Sequence, residues 1–303
     1  MITFRQVSYG GWSNCYKLSN DLVDLVITAD VGPRIIRFGF VGAENEFGEL
    51  PEVGQTGGDD WTLYGGHRLW HAPENKARTY YPDNHPIQVE EHPGFIRAIQ
   101  PVESTTGIQK EIDLYLDENG AQVTVVHRLI NQNLWWLELA PWALSVMTAG
   151  GVGIAPMPPK GSHRENILPT GSMALWAYTD MTDPRWVWGN EFIMLNQNAA
   201  MPAPQKIGVW VPNGWAAYAR RGHLFVKTFA PGKQSDYPDF GSNVEFFTND
   251  EILEVETLGS LAKLAPGTAV THTETWYLFD NIRQPQTETD IIEEIMPVVN
   301  TII

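Results

Sequence analysis

Cysteine is all but missing from this 303-residue sequence: Cys15 stands alone, so no intrachain disulfide can form and burial has to hold the fold together. A lone thiol fits a reducing compartment. The opening MITFRQVSYGGWSN offers no apolar core for an export signal, so the cytoplasm is the expected location. Positive charge is scarce too. Twenty Lys and Arg face 36 Asp and Glu, a formal net charge of -16, and Arg220-Arg221 is the only adjacent basic pair. Nucleic acid is excluded as a partner, because its affinity rests on clustered cations displacing counterions. The acidity reads as solubility. Also absent is any unbroken apolar helix. Residues 139 to 159 carry no charge and are long enough to cross a bilayer, but Pro141, Gly150-Gly151, Pro156, Pro158 and Pro159 interrupt them. That segment reads as a buried strand followed by a loop, with no membrane partner.

What is present is apolar surface in a period of two. With 43% hydrophobic and 18% charged residues, the chain can bury a large core. Alternation of the kind half-buried strands show runs through IQKEIDLYL (108 to 116), QVTVVHRLIN (122 to 131), VEFFTN (244 to 249), EILEVETLG (251 to 259) and AVTHTETWYLF (269 to 279). DENG, VPNG, FAPG and LAPG supply turns between such runs. The pattern predicts an all-β, mostly antiparallel sandwich or barrel with few short helices, residues 1 to 303 forming one domain. One helix is expected near 288 to 296, capped by Thr287, with Ile291, Ile292, Ile295 and Met296 as its apolar face and Pro297 as its stop.

Two stretches carry chemistry. The first is YGGHRLWHAPE, residues 64 to 74. On a helix, His67, His71 and Glu74 would share a face at i, i+4 and i+7 and suggest a metal site. The flanking Gly65-Gly66 and Ala72-Pro73 argue against a helix, so an active-site loop is the expectation, with no metal assigned. The alternative is that His67 and Arg68 satisfy a buried turn. The second stretch is EILEVETLGSL, where alternation sends Glu254 and Glu256 to the face opposite Leu253 and Val255. A solvated edge would explain these acids equally well. His127, in a row with Val123, Val125 and Leu129, reads as a hydrogen-bonded core residue. Twelve tryptophans suit a carbohydrate site, since flat apolar rings stack on pyranose C–H faces, although most must belong to the core.

NVEFFTNDEILEVETLGSLAKLAPGTAVTHTETWYLF, residues 243 to 279, resembles the C-terminal half of the galactose mutarotase-like (aldose 1-epimerase-like) superfamily, and YGGHRLWHAPE resembles its sugar-contacting histidine loop. LVITADVGPRIIRFGFVGAENEF resembles the opening sheet of those proteins. The resemblance is to an uncharacterised branch and implies a galactose mutarotase-like β-supersandwich. It also implies a small-molecule sugar as partner, no cofactor, and an aldose 1-epimerase-like isomerase that interconverts anomers or epimers. By position it gives Glu256 as catalytic base and His67 as the acid. Arg68, Trp70, His71, Trp142, Lys227 and Asp239 become substrate contacts. The family's usual acid is a histidine whose place is taken here by Trp142. Mutarotation needs an acid at the ring oxygen as well as a base at the anomeric hydroxyl. A non-catalytic carbohydrate-binding module on the same fold is therefore a competing reading, and a metal-assisted hydrolase using His67, His71 and Glu74 is a third.

Overall fold

The computed structural model describes Met1–Ile303 as two large sheets packed face to face. In spatial order the first sheet runs β1 (Thr3–Tyr9), β2 (Trp12–Ser19), β3 (Val23–Thr28), β4 (Arg34–Phe40) and β5 (His67–Ala72). It continues through β10 (Leu137–Met147), β19 (Leu253–Leu258), β18 (Val244–Thr248), β15 (Gln205–Val209) and β12 (Met173–Leu175), with β20 (Ala262–Leu264) paired to β10 off that path. The second sheet begins β13 (Trp186–Trp188), β14 (Phe192–Asn196), β11 (Val152–Pro156), β16 (Trp215–Arg220) and β17 (His223–Phe229). It ends with β21 (Ala269–Phe279), β9 (Gln122–Asn131), β8 (Ile108–Leu116), β7 (Phe95–Ile99) and β6 (Gln88–His92). Every pairing is antiparallel.

The all-β sandwich expected from the period-two pattern is the fold observed. Strands read at 108 to 116, 122 to 131 and 269 to 279 coincide with β8, β9 and β21. The uncharged segment from residue 139 falls in two strands, β10 and β11, joined across Gly150 and Gly151. No helix is long and apolar enough to cross a membrane.

A core of 39 buried residues fills the space between the sheets, drawn from the inward side of each strand. The outer face of the second sheet is covered by the C-terminal helix. Its apolar side, Ile291, Ile295 and Val299, joins Val152, Phe192, Trp215 and Val226 in a separate cluster. Thr287 caps this helix in a reciprocal capping box with Asp290, as expected. Two expectations are corrected there. A π-turn over Ile291–Ile295 places buried residues four apart and turns Ile292 outward, 46% exposed. Pro297 does not stop the helix, which runs to Val299, because Pro297 occupies the start of a new turn where no amide hydrogen is required.

Candidate functional site

The polar stretch at residues 67 to 72 is a fully buried strand, β5, not the expected loop. Gly65 and Gly66 turn the chain into it with φ of 93° and 68°. A Cβ at Gly65 would lie 2.0 Å from the Gly48 carbonyl oxygen, and one at Gly66 2.5 Å from that of Ile35, so neither tolerates a side chain. Alternation then decides each residue's neighbours. His67 and Leu69 turn inward between the sheets, while Arg68 and Trp70 turn outward onto the open face of the first sheet. The helical grouping of His67, His71 and Glu74 does not form.

His67 lies in a closed polar network between the sheets. Its Nδ1 lies 2.8 Å from Ser145 Oγ, and its Nε2 lies 2.7 Å from His127 Nε2. His127 Nδ1 must donate to the His272 carbonyl at 2.9 Å, which leaves its Nε2 unprotonated. His67 therefore donates through Nε2 and accepts from Ser145 through Nδ1. Beyond it, His272 meets Thr257, Thr257 donates to Glu274, and Trp276 Nε1 donates to the other Glu274 oxygen at 2.7 Å. Lys227, entirely buried, reaches Glu274 at 2.9 Å and the carbonyls of Ala143 and Val255. Burial, reinforced by Lys227, holds the His67 imidazole well below its ordinary pKa. Burial also lowers His127 and takes His272 down to about 3. Burial alone would raise Glu274, but Lys227 and the two histidines outweigh it and hold this carboxyl down at about 2. His67, His127 and Glu274 offer ligand-type atoms within 4.8 Å of one another, yet the network already uses each of them.

His67 and Lys227 thus stand on the far side of the first sheet from Glu256, and the expected groove shared by His67 and Glu256 does not exist. The reason is parity: adjacent strand residues face opposite ways, and β5 and β19 present His67 and Glu256 to different faces. His127 is the hydrogen-bonded core histidine read from its apolar row. His71, also buried, lines a small cavity of about 160 Å³ beside Arg78 and Trp136, away from the other candidates.

The outer face brings together Arg68, Trp70, Trp142 and Glu256. Arg68 Nη1 donates to Glu254 Oε1 at 2.7 Å, and its guanidinium lies 4.5 Å from the Trp70 ring centre and 5.4 Å from that of Trp61. Lys206, on β15, repeats this design. Its Nζ lies 2.9 Å from both Glu245 and Glu256, between the rings of Trp142 at 4.6 Å and Trp176 at 4.9 Å. Glu245 and Glu256 are direct cross-strand partners on β18 and β19. Trp142 Nε1 also donates to Glu256 Oε2 at 2.8 Å, while Glu256 Oε1 has no partner. Burial pushes both carboxyls above the ordinary range, Glu245 furthest, and one lysine does not offset it. Burial alone would lower Lys206, but Glu245 and Glu256 raise it, so its charge is held. Asp239, also raised by burial, adds a further carboxyl facing Lys206 and Glu245.

Above this layer opens a pocket of about 240 Å³. Trp61, Trp70, Trp142 and Tyr178 wall it, with Arg68, Lys206, Glu254 and Glu74 as its charged lining. Glu256 lies beneath, fully buried. Larger hollows occur elsewhere, one of about 460 Å³ under the proline-rich loop after β11, but they lack such convergent charges. Reading the sequence missed Lys206, Glu245, Trp61 and Tyr178. For the first two a signal existed: QKIGV and VEFFT each carry one charge in an otherwise buried strand. Trp61 and Tyr178 come from loops with no period to read.

No family's sequence profile matches this chain, and no curated protein does. Solved structures do match in fold. A galactose mutarotase-like protein from Lactobacillus casei superposes with a TM-score of 0.57 at 9% identity, covering 88% of this chain and all, 100%, of that one. A galactose mutarotase-like protein from Clostridium acetobutylicum gives 0.56 at 12%, covering 92% and 99%. A putative mutarotase from Salmonella typhimurium gives 0.55 at 10%, covering 92% and 94%. The chain has the galactose mutarotase-like sandwich fold.

Proposed function

We propose that this chain binds a single sugar ring in the pocket on the open face of its first sheet. The observation that carries the reading is the pairing of two cations, each against indole rings, with carboxylates at the floor of an aromatic pocket. Flat rings suit the C–H faces of a pyranose, and fixed ionic groups suit its hydroxyls. The volume, about 240 Å³, falls below the ~300–1,000 Å³ typical of drug-sized ligands, which favours one ring over a chain. Calorimetry and saturation-transfer NMR with a panel of aldoses test this directly. Binding that disappears in Trp142→Ala supports it, and no binding to any aldose ends it.

A second reading is aldose 1-epimerase-like interconversion of anomers with Glu256 as the base. It is favoured by the free Oε1 and raised carboxyl of Glu256, which make it a stronger base than an exposed glutamate. Against it, the proton donors that line the pocket hold their protons: Lys206 is raised, and burial pushes Tyr178 up to about 12. No imidazole lines the pocket. Binding is therefore the better supported function. Polarimetry on fresh aldose solutions separates the two, since only the isomerase accelerates anomer exchange and loses it in Glu256→Gln.

A further inference from the structure

We propose that the pocket takes sugars that are uncharged or carry an amine, and rejects sugars bearing a phosphate, sulfate or carboxylate. This rests on the sugar-ring reading above and specifies its substrate class. The charges that face the pocket are Arg68, Lys206, Glu74 and Glu254. Both cations already have carboxylate partners, although Arg68 Nε, buried beneath the surface, makes no hydrogen bond. Arg68 is held by Glu254 at 2.7 Å beside the Trp61 and Trp70 rings, and Lys206 by Glu245 and Glu256 at 2.9 Å each, over the rings of Trp142 and Trp176. An incoming phosphate would have to displace a carboxylate from a buried pair and leave that acid uncompensated, the costly way to break such a pair. Lys76 and Arg78, exposed on the turn after β5, do not line the pocket and offer a phosphate nothing there.

The acid side is not committed to the same degree. Glu74 is exposed at the rim, and its one hydrogen bond comes from the Tyr80 hydroxyl, 2.5 Å away. A neutral hydroxyl or a sugar ammonium can donate to its open oxygen, the ammonium more strongly because the bond is charge-assisted.

Calorimetry at neutral pH and low salt decides it, using the gluco and galacto forms of the free aldose, the 2-amino sugar, the 6-phosphate and the uronate. The free aldose or the amino sugar should bind at least tenfold more tightly than the phosphate and the uronate. In Glu74→Gln the preference for amine over hydroxyl should fall towards one. A 6-phosphate or uronate that binds as tightly as the free aldose overturns the charge selection while leaving the sugar reading intact. Failure of the whole panel to bind overturns both.

Discussion

The first sheet carries a polar network on each face, and β5 and β19 contribute to both; β10, with β9, β17 and β21 of the second sheet, completes the inner one, and β15 and β18 complete the outer one. Inward, Ser145, His67, His127, His272, Thr257, Glu274 and Lys227 form a circuit in which every donor finds an acceptor. Outward, Arg68, Glu254, Lys206, Glu245 and Glu256 are just as buried, yet Arg68 Nε, Glu256 Oε1 and Glu245 Oε1 have no polar partner. Buried polar groups left unpaired are expensive, so the open valences of the outer network are consistent with the proposed ligand site above it, whereas the closed circuit needs nothing beyond the fold. Polarity and burial do not tell the two apart. Saturation does.

The sharpest way to break this contrast is to open the inner circuit. Lys227→Met leaves Glu274 between the sheets with the hydrogen bonds from Thr257 and Trp276 but no cation, and should cost about 3–5 kcal/mol in denaturant unfolding. A loss under about 1 kcal/mol would mean that the circuit is not what holds the sheets. Next comes pH. His67, His127 and His272 have lowered pKa values in the fold, against about 6.5 unfolded. The unfolded chain therefore binds more protons below that value. Their stabilisation is complete above pH ~6.5 and is lost as pH falls towards about 3, the value for His272, at roughly 1 kcal/mol per pH unit for each histidine. The outer carboxyls work in the opposite sense. Glu245 and Glu256 are raised, so their contribution is present below the ordinary glutamate value and lost as pH rises through their folded values. Urea titrations across pH should show the inner slope flattened in His127→Gln, and an unchanged slope would sink the assignment.

Smaller in stability but larger in binding is Arg68→Met. It frees Glu254 at a pocket that water can enter, so the expected cost is about 1–3 kcal/mol, with sugar affinity falling at least tenfold. Equal affinity in the variant would remove Arg68 from the site. The mildest test is Ser145→Ala. Deleting one neutral hydrogen bond to His67 should cost about 1 kcal/mol and leave sugar affinity unchanged, because Ser145 faces away from the pocket that its neighbour Leu144 lines.

Legibility followed periodicity. Strands with clean alternation, such as QVTVVHRLIN and AVTHTETWYLF, could be read almost to the residue, and with them the sandwich. Within the site, Glu254 and Glu256 were legible as a pair on one face. HRLWHA was not legible as a strand because both of its faces are polar and buried, which removes the contrast that alternation depends on. Treating it as a loop let His67 and Arg68 point to one place, so nothing in that reading opposed the His67–Glu256 pairing that the resemblance implied. Lys227 was expected as a substrate contact because the resemblance places one just before the glutamate strand, but parity sends it between the sheets, where its partner, Glu274 on β21, makes burial possible.

The two glycines ahead of β5 do more than bend the chain. Wedged against the carbonyls of Gly48 and Ile35, they fix the count from which the strand begins. A single residue inserted or deleted after Gly66 would exchange the whole set, sending an arginine and a tryptophan into the interior and two histidines to the pocket wall. Changes of length at this point can survive only in twos.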